Sequence, residues 1–483
     1  MHKIKDIYPF TITFVMFGGF MKSVDELLVA ARKAQAQIAD YTQEQIDEVC
    51  LAIGWEVYND HNVDILARMA VEETGYGNYE SKVTKHKRKV GGAMHDVLAA
   101  KTVGCIEHNP ATGISKYAKP VGVICAILPA TNPTATCGGK AIGMIKGRNA
   151  VIFKPSTRAT ECTRKAINMM RAGLKRVGAP EDLLQYIELP EREATQELMA
   201  KCDLIVATGS GPLVKAAYSS GTPAYGVGAG NAVTIIAEDA DVCDATAKIH
   251  SSKTFDNATS CSSENGLIVV NAVLEKTLEC FKKVGTHICT PEETAKLKEF
   301  MWVPNKKGKL ALNENAIAKS AKVIAEGAGI AIPDGTTMLL LESTDDPRFD
   351  QWAHEKISPV LNYYRAKDID EAIAILKIVT SRVGPGHSCG IHTFKREYIE
   401  RLGLEMNTSR ITVRQPMAAA NGGHAFNHMP STATLGCGTW GGNITSENVH
   451  WKHFINITWV NEPVEPWTFS ENIWADFLKK YPQ

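Results

Sequence analysis

The sequence predicts an α/β protein whose parallel β-sheet is covered by helices on both faces. From residue 121 onward, short apolar runs bounded by Gly or Pro alternate with helical stretches. The runs are continuous in Val, Ile and Leu, which is typical of strands buried on both faces of a parallel sheet. A second series of strands and helices follows, and 483 residues are roughly three domains' worth of chain.

The segment before the sheet is predicted to be helical as far as about Leu98. Two of its helices begin at capping boxes, in which a Ser or Thr and a Glu or Gln three residues later satisfy each other's backbone N–H groups. The two pairs are Ser23 with Glu26 and Thr42 with Gln45.

The first twenty residues have the charge and the apolar run of a signal peptide, but no cleavage site of small residues follows. Codons for Gly18-Gly19 can spell a ribosome-binding sequence shortly before an ATG. We therefore expect residues 1–20 to be a leader that is not native, with Met21 as the true start.

Residues 101–121 are predicted to form a β-hairpin with its turn at Asn109–Gly113. Six strands of the parallel sheets follow, and a helix of the second series begins at Thr290–Glu293. Residues from Thr408 onward are rich in Gly, Asn, Thr and Trp and are predicted to be poorly helical. The six predicted strands are Val121–Leu128, Ala150–Phe153, Leu184–Leu189, Leu204–Ala207, Ala232–Ala237 and Leu267–Val270.

Composition excludes several classes of function. Lys and Arg number 53, and so do Asp and Glu, so neither a broad basic face for nucleic acid nor a polybasic membrane anchor is expected. The apolar runs are shorter than the roughly 20 residues of a membrane helix. The twelve cysteines show no C-x-x-C pair and no zinc-ligand spacing, so we expect no metal, reduced thiols and a cytoplasmic protein.

The stretch that is most informative about chemistry is Ser252–Asn265, which contains Cys261. Small polar residues flank this thiol and a strand begins at Leu267, so the thiol can stand exposed at a sheet end as a nucleophile. The alternative is a buried cysteine that packs as a small apolar residue, and the residues alone favour that alternative.

Polar turns follow three successive predicted strands. Asn132 follows the first strand, where a side-chain amide can donate to a developing oxyanion; the alternative, an ordinary turn residue before Pro133, is favoured for Asn132 alone. The turn Lys154–Thr157 offers a Lys and a Ser to ribose hydroxyls, and the backbone amides of Thr208–Gly211 suit a pyrophosphate. Together the three turns predict a nucleotide-binding crevice.

Longer stretches resemble the aldehyde dehydrogenase superfamily, and within it the branch that transfers the acyl group to CoA. The resemblance covers about Met21 to Thr458. The stretches that carry it are Thr131-Asn132-Pro133, Lys154-Pro155-Ser156, Ala224–Gly228, Lys253–Asn257 before Cys261, Glu355–Leu361, Gly386-His387, Leu435–Asn443, Ser446-Glu447-Asn448 and Lys452–Asn456.

The resemblance implies an aldehyde dehydrogenase-like fold of two Rossmann-like parallel-sheet domains and a small oligomerisation arm, assembled as a homodimer or homotetramer. It divides the chain into a dinucleotide-binding domain, a catalytic thiol domain, the arm and a C-terminal tail. Their ranges are 21–100 with 122–245, 246–435, 101–121 with 436–460, and 461–483.

The resemblance also implies residue roles. Cys261 is the nucleophile that attacks the aldehyde, and Asn132 stabilises the oxyanion, a contact whose loss usually raises the barrier by about 2.7–4 kcal/mol. Outside the resemblance, Glu355 would be taken for a helix-end carboxylate. The implied binding residues for NAD or NADP are Thr131, Lys154, Ser156, Thr157, Arg158, Gly209, Ser210, Gly228 and Glu355.

Hydrolytic members of the family carry a Glu-Leu-Gly-Gly motif whose Glu activates a water molecule. This chain has Gly226–Asn231 in that place, and the nearest acids, Glu238 and Asp239, lie beyond a strand. A thioester without an activated water can persist until a thiol arrives. Acyl transfer to CoA as co-substrate therefore fits better than hydrolysis.

The choice of dinucleotide depends on the residues after the second strand. NAD-specific relatives often place near Thr157 a Glu that would repel a 2′-phosphate. Here Thr157-Arg158 removes the repulsion and adds a cation, so we favour NADP or dual use. The alternative is that Arg158 caps a surface helix.

The candidate substrate-binding residues are Arg414, His424 and His428. Relatives that use acetaldehyde usually have an Asn in place of Arg414, and a buried guanidinium needs an anionic partner. The stretch that contains these residues is similar to branches of the family that use succinate semialdehyde or sulfoacetaldehyde, and this resemblance implies a short anionic aldehyde, with sulfoacetaldehyde favoured. The alternatives are succinate semialdehyde, acetaldehyde or propionaldehyde as substrate, a hydrolytic dehydrogenase, and an Arg414 that pairs with an internal carboxylate.

Overall fold

The computed structural model describes residues 22–466 and 473–482. The predicted leader and the start at Met21 lie outside these residues and stay predictions. The helices are α1 (Val24–Gln37), α2 (Gln43–Glu56), α3 (Asp60–Thr74), α4 (Tyr79–Leu98), α5 (Pro133–Lys146), α6 (Thr160–Arg176), α7 (Arg192–Lys201), α8 (Gly211–Tyr218), α9 (Val242–Thr254), α10 (Leu274–Lys283), α11 (Pro291–Met301), α12 (Ala321–Gly327), α13 (Ile369–Arg382), α14 (Arg396–Glu405), α15 (Met417–Ala420) and α16 (Ala475–Lys480).

In the part of the chain that the structure describes, the strands form two large sheets and two small ones. They are β1 (Gly104–Asn109), β2 (Ile114–Pro120), β3 (Val123–Ile127), β4 (Ala150–Lys154), β5 (Leu184–Tyr186), β6 (Leu204–Thr208), β7 (Ala224–Val227), β8 (Ala232–Ile236), β9 (Glu264–Val270), β10 (Thr286–Ile288), β11 (Trp302–Pro304), β12 (Leu310–Leu312), β13 (Met338–Glu342), β14 (Val360–Ala366), β15 (Cys389–His392), β16 (Ile411–Val413) and β17 (Ile455–Asn461).

Helix starts follow the capping chemistry of the sequence. The predicted capping boxes at Ser23 and Thr42 are confirmed, and Thr290 opens α11 with a third box that includes Glu293. The predicted helical segment ends at Leu98, the last residue of α4.

The first large sheet has five parallel strands in the order β5-β4-β3-β6-β7. All five residues of the central strand β3 are buried, as its continuous apolar sequence predicts. From β3 the chain adds β4 and β5 on one side of the sheet, and then returns to add β6 and β7 on the other side of β3. The strand order therefore reverses at the boundary between β3 and β6. The crevice outside the carboxyl ends of such neighbouring strands is where open α/β sheets bind ligands.

The second large sheet has seven parallel strands in the order β10-β13-β14-β9-β8-β15-β16. Every residue of β9 is buried, and this strand begins three residues after Cys261. The predicted α/β class and its two parallel sheets are confirmed. The sequence reading missed β7, which is only four residues long.

The predicted hairpin is confirmed as the antiparallel pair β1 and β2, and β17 adds a third strand along β2. This small sheet stands apart from the two large ones. Ile457, Trp459 and Val460 of β17 are exposed apolar side chains on its outer strand.

The prediction that all twelve cysteines are reduced is wrong for one pair. Cys243 of α9 and Cys280 of α10 form a disulfide with their Cα atoms 5.2 Å apart. These helices pack against each other, so two thiols 37 residues apart in sequence meet, which spacing alone did not indicate. Among residues 22–466 and 473–482, no helix is long and apolar enough to cross a membrane.

Candidate active site

A cavity of about 580 Å³ brings together residues that are far apart in the sequence. The ends of β3, β4 and β6 contribute one part of its wall, and the loop before β9 contributes another. Cys261 and Asn132 both line it. The sequence-predicted residues that line it are Thr131, Asn132, Lys154, Ser156, Thr157, Gly209, Ser210, Gly228, Cys261, Glu355 and His424.

The loop that carries Cys261 has an unusual backbone. Asp256, Asn257 and Ala258 have φ angles of 52°, 52° and 57°, in the left-handed region that disfavours side chains. A non-glycine residue there costs about 1–2 kcal/mol, so three in succession need compensation from their surroundings. The loop therefore depends on contacts that it makes outside itself.

The compensating contacts come from α4 through the buried carboxylate of Asp256. Lys82 Nζ donates to Asp256 Oδ2 at 2.7 Å, and Lys85 Nζ binds the same oxygen. Burial raises the pKa of Asp256, but the charges of Lys85 and Lys82 outweigh this effect and the pKa is lowered. Lys82 Nζ also donates to the Thr131 carbonyl at 2.8 Å. One ammonium thus joins the thiol loop to the turn that carries Asn132.

Cys261 is partly accessible from the cavity and enclosed by protein on its other sides. This burial raises the pKa of its thiol to about 12, and the Glu355 carboxylate acts in the same direction. Arg410 and Lys89 lower the pKa, though by less. The loop after β7 packs directly on this residue, because a Cβ on Gly230 would lie 2.2 Å from the Cys261 carbonyl oxygen.

Asn132 stands at the start of α5, with its side chain making no capping bond to the helix. The following Pro133 occupies the first turn, where its missing N–H is not needed. The side-chain amide is therefore available to a group in the cavity. This observation favours an oxyanion donor over an ordinary turn residue.

The residues predicted to bind the dinucleotide line the cavity, with one exception. Lys154 and Ser156 follow β4, and Gly209 and Ser210 precede α8, all on the cavity wall. Arg158 does not line the cavity. Its exposed guanidinium donates to Glu314 at 3.0 Å instead.

Glu355 has surroundings that hold it partly protonated near neutral pH. Burial raises the pKa of its carboxyl to about 7, although Lys253, the Gly230 N–H and Lys356 oppose the rise. Among the described residues of the cavity wall, Glu355 is the only carboxylate. The Gly226–Asn231 stretch adds none.

The substrate prediction for Arg414 needs correction. Its Nη1 donates to the Thr393 carbonyl at 2.6 Å, and its guanidinium lies 4.7 Å from the centre of the Phe394 ring. Arg414 follows β16, whereas Cys261 precedes the parallel strand β9, so the two lie at opposite ends of one sheet. The geometry gives no support to a contact between Arg414 and the substrate.

The two predicted histidines differ in position. His428 is exposed and does not line the cavity, so it too is not brought to the site. His424 does line the cavity, and its ring lies 3.8 Å from the ring of Phe426. Burial lowers the pKa of His424, and the nearby Arg88 and Lys89 lower it further.

Sequence reasoning missed the contribution of α4. Lys85, Arg88 and Lys89 line the cavity, and the signal was the density of cations in the stretch from Lys85 to Lys89. Such a run is usually a solvated helix face, and only the tertiary structure turns part of it toward the thiol.

Two large parallel sheets, with a cysteine thiol and the turns after three strands in one cavity, are the architecture of an α/β oxidoreductase. The family model described as "Aldehyde dehydrogenase family" matches residues 13–427. The chain belongs to the aldehyde dehydrogenase family.

Known relatives are similar over nearly the whole chain. The sulfoacetaldehyde dehydrogenase (acylating) of Bilophila wadsworthia strain 3_1_6 is 67% identical, over 95% of this chain and 100% of that protein. The succinate-semialdehyde dehydrogenase (acetylating) of Clostridium kluyveri is 38% identical, over 90% and 95% respectively. The crystal structure of an acetylating aldehyde dehydrogenase from Geobacillus thermoglucosidasius superposes with a TM-score of 0.87 at 36% identity, covering 92% of this chain and 98% of that one.

Replacing Asp256 tests whether its buried ion pairs stabilise the thiol loop. Asp256→Ala leaves Lys82 and Lys85 without their carboxylate, so we expect the free energy of unfolding to fall by about 3–5 kcal/mol in urea titrations. The control is Asp244→Asn, which removes an exposed pair with Lys248 and should cost less than about 1 kcal/mol. Equal losses in the two variants would contradict the stabilising role.

The raised thiol pKa predicts slow alkylation of the free enzyme. The thiolate is the reactive form, so the rate of iodoacetamide addition to Cys261 should rise about tenfold per pH unit from pH 7 to 10. An ordinary thiol, with a pKa of about 8.5, would approach a plateau near pH 9. Mass spectrometry of the Cys261 peptide measures the rate separately from that of the accessible Cys105. A plateau below pH 9 would contradict the assigned environment.

Proposed function

We propose that this protein is a CoA-acylating aldehyde dehydrogenase that converts sulfoacetaldehyde, CoA and NAD(P)+ into the acyl-CoA and NAD(P)H. The observation that carries the proposal is the cavity that joins Cys261 and an uncommitted Asn132 amide while offering no base in the loop after β7. The relative at 67% identity, whose name gives both the substrate and the acylating activity, supports it.

The proposed reaction begins with attack of Cys261 Sγ on the aldehyde carbon. The oxyanion that forms accepts hydrogen bonds from the Asn132 side-chain amide and the Cys261 backbone N–H, which together lower the barrier. The bound dinucleotide supplies the hydride acceptor. The acyl group then remains as a thioester on Cys261 until the thiol of CoA attacks it, with the same two donors stabilising the second oxyanion. The bond between the acyl carbon and Cys261 Sγ then breaks, Cys261 leaves as the thiolate, and it takes up the proton that the CoA thiol lost.

The residues around the crevice fit a dinucleotide. Lys154 and Ser156 offer donors to a ribose, and the backbone amides at Gly209 and Ser210 precede the N-terminus of α8, which favours a phosphate. Gly211 has no neighbour within 4 Å of the place of a Cβ, so its backbone is open to a ligand. Thr131, Gly228 and Glu355 complete the proposed binding set.

We propose that the protein uses NADP, or both NAD and NADP, because the residues after β4 carry a positive charge in place of an acid. Thr157 lines the cavity, and the residue beside it is Arg158 rather than an acid. The pair between Arg158 and Glu314 is exposed on both sides. Surface pairs of this kind are worth at most about 1 kcal/mol, so a 2′-phosphate can compete for the guanidinium.

The alternative substrates and the hydrolytic reaction have less support. Succinate semialdehyde is the substrate named for a relative at 38% identity, well below the 67% of the first relative. Acetaldehyde and propionaldehyde are less favoured, since the relative at 67% identity is named for sulfoacetaldehyde. Hydrolysis is disfavoured because Glu355, the one carboxylate of the described wall, is proposed to hold a ribose.

The assignment of domains and assembly is also a proposal. The first sheet is proposed to bind the dinucleotide and the second to carry the thiol, with the ranges stated above. The exposed apolar side chains of β17 support an arm that joins two or four copies of the chain. A cytoplasmic location remains a prediction.

Turnover should require CoA. Enzyme with sulfoacetaldehyde and NADP+ should give only a stoichiometric burst of NADPH, because the acyl-enzyme awaits a thiol. Absorbance at the NADPH band, with and without CoA, measures this directly. Cys261→Ala should lose both burst and turnover while still binding the dinucleotide. Steady release of free acid without CoA would overturn the acylating proposal.

Adding a carboxylate to the loop after β7 should create hydrolysis. Gly228 lines the cavity and has open space around its Cβ position, so Gly228→Glu is tolerated sterically. We expect CoA-independent acid release to rise roughly tenfold or more, as a general base activates water. The matched control is Gly228→Gln, which has the same shape without the base. If both variants hydrolyse equally, the carboxylate is not the cause.

A further inference from the structure

The cavity wall contains a cationic face that the proposed chemistry at Cys261 does not use. Lys85, Arg88 and Lys89 of α4 all line the cavity, at the spacing that puts side chains on one helix face. The three cations differ in the groups that neutralise their charge. Lys85 is satisfied by Asp256 and by the Thr259 hydroxyl at 2.7 Å.

Lys89 and Arg88 have no such counter-ion. Lys89 Nζ donates to the carbonyls of Gly422 and Thr432, each at 2.9 Å. The Arg88 guanidinium lies 5.5 Å from the centre of the Phe255 ring. Within residues 22–466 and 473–482, no carboxylate pairs with either cation. Two positive charges therefore face the cavity uncompensated.

A wall of small residues lies beside these cations. It is formed by Ala418, Ala419, Gly422 and Gly423, which have small side chains or none. A Cβ on Gly422 would lie 2.2 Å from Lys89 Nζ, so glycine there is what lets this loop approach the ammonium. His424 follows, and its buried Nδ1 has no hydrogen-bond partner.

The cationic face and the thiol line the same cavity. The charge of Lys89 stabilises the Cys261 thiolate, and the thiolate in turn favours the charged form of Lys89. Burial lowers the pKa of Lys89 to about 8, which leaves the ammonium mostly charged at pH 7. Phe255, which contacts Arg88, precedes Cys261 by six residues.

We propose that Arg88 and Lys89, with His424 from the neighbouring loop of the same cavity, bind the anionic end of the aldehyde and so select a sulfonate. A sulfonate has three acceptor oxygens, which match a guanidinium, an ammonium and an imidazole N–H. The substrate's identity rests on the proposed function, whereas the anion site itself rests on these side chains. This site takes the place of the predicted contact with Arg414.

The kinetic test compares an anionic with a neutral aldehyde. Arg88→Gln should lower kcat/KM for sulfoacetaldehyde roughly tenfold to a hundredfold, and change that for propionaldehyde by less than about twofold. Arg88→Lys should restore part of the loss, because a point charge lacks the fork of donors. KM for CoA should not change.

The matched control is Lys87→Gln on the same helix. Lys87 carries the same charge but pairs with Asp60 and lies over the Tyr58 ring, away from the cavity. The Lys87→Gln variant should leave the ratio of kcat/KM for the two aldehydes unaltered. An unchanged ratio in Arg88→Gln would overturn the proposal, and so would a raised KM for CoA with equal losses on both aldehydes, which would assign Arg88 to CoA.

A binding test separates this proposal from the proposed function. The probe is 2-hydroxyethanesulfonate, which cannot be oxidised at an aldehyde carbon, and the readout is protection of Cys261 from iodoacetamide. Wild type and Lys87→Gln should be protected alike, and Arg88→Gln should need roughly tenfold more probe. Protection without sulfoacetaldehyde turnover would remove the proposed function and keep the anion site. Turnover of sulfoacetaldehyde with equal protection of all three proteins would overturn the anion site and keep the proposed function.

Discussion

The site depends on the ion pairs that the Asp256 carboxylate forms with Lys82 and Lys85. This carboxylate is fully buried and is bound by two ammonium groups of α4, and one of these, Lys82, also binds the carbonyl before Asn132. The thiol loop and the turn that carries Asn132 come from different sheets, and this shared cation connects them. The same helix then presents Arg88 and Lys89 to the cavity, one turn further along. Cys261, Asn132 and the proposed anion site are therefore positioned by a single helix.

Burial raises the pKa of both acidic groups that matter most, but their charged neighbours lead to opposite outcomes. Asp256 remains charged because two cations touch it, whereas the Glu355 carboxylate adds to the effect of burial on Cys261, which keeps its proton. A protonated thiol is a poor nucleophile and is also resistant to adventitious oxidation. Positive charge brought into the cavity, such as that of an oxidised nicotinamide ring, favours the thiolate. The electrostatics thus couple reactivity of Cys261 to occupation of the site.

Much of the fold could be predicted because its determinants are local. Capping boxes at Ser23, Thr42 and Thr290 depend on residues three apart, and buried parallel strands are visible as apolar runs. Cys261 and Asn132 were found from family motifs, and the structure brings them to one cavity. Arg414 was misplaced because strand direction, which sequence does not display, sends it to the far end of the sheet. The cations of α4 were missed because a charged run looks the same whether it faces water or a cavity.

The outer edge of β17 has a consequence for how the molecule behaves in solution. Seven residues of this strand pair with β2 on one side, and Ile457, Trp459 and Val460 are exposed on it. A strand with an open side and apolar side chains is a template for another strand. If two copies pair there, their small sheets merge into one, and folding of the arm becomes a bimolecular event. Thermal stability would then increase with protein concentration, so a dilute sample and a crowded one would report different melting temperatures for the same sequence.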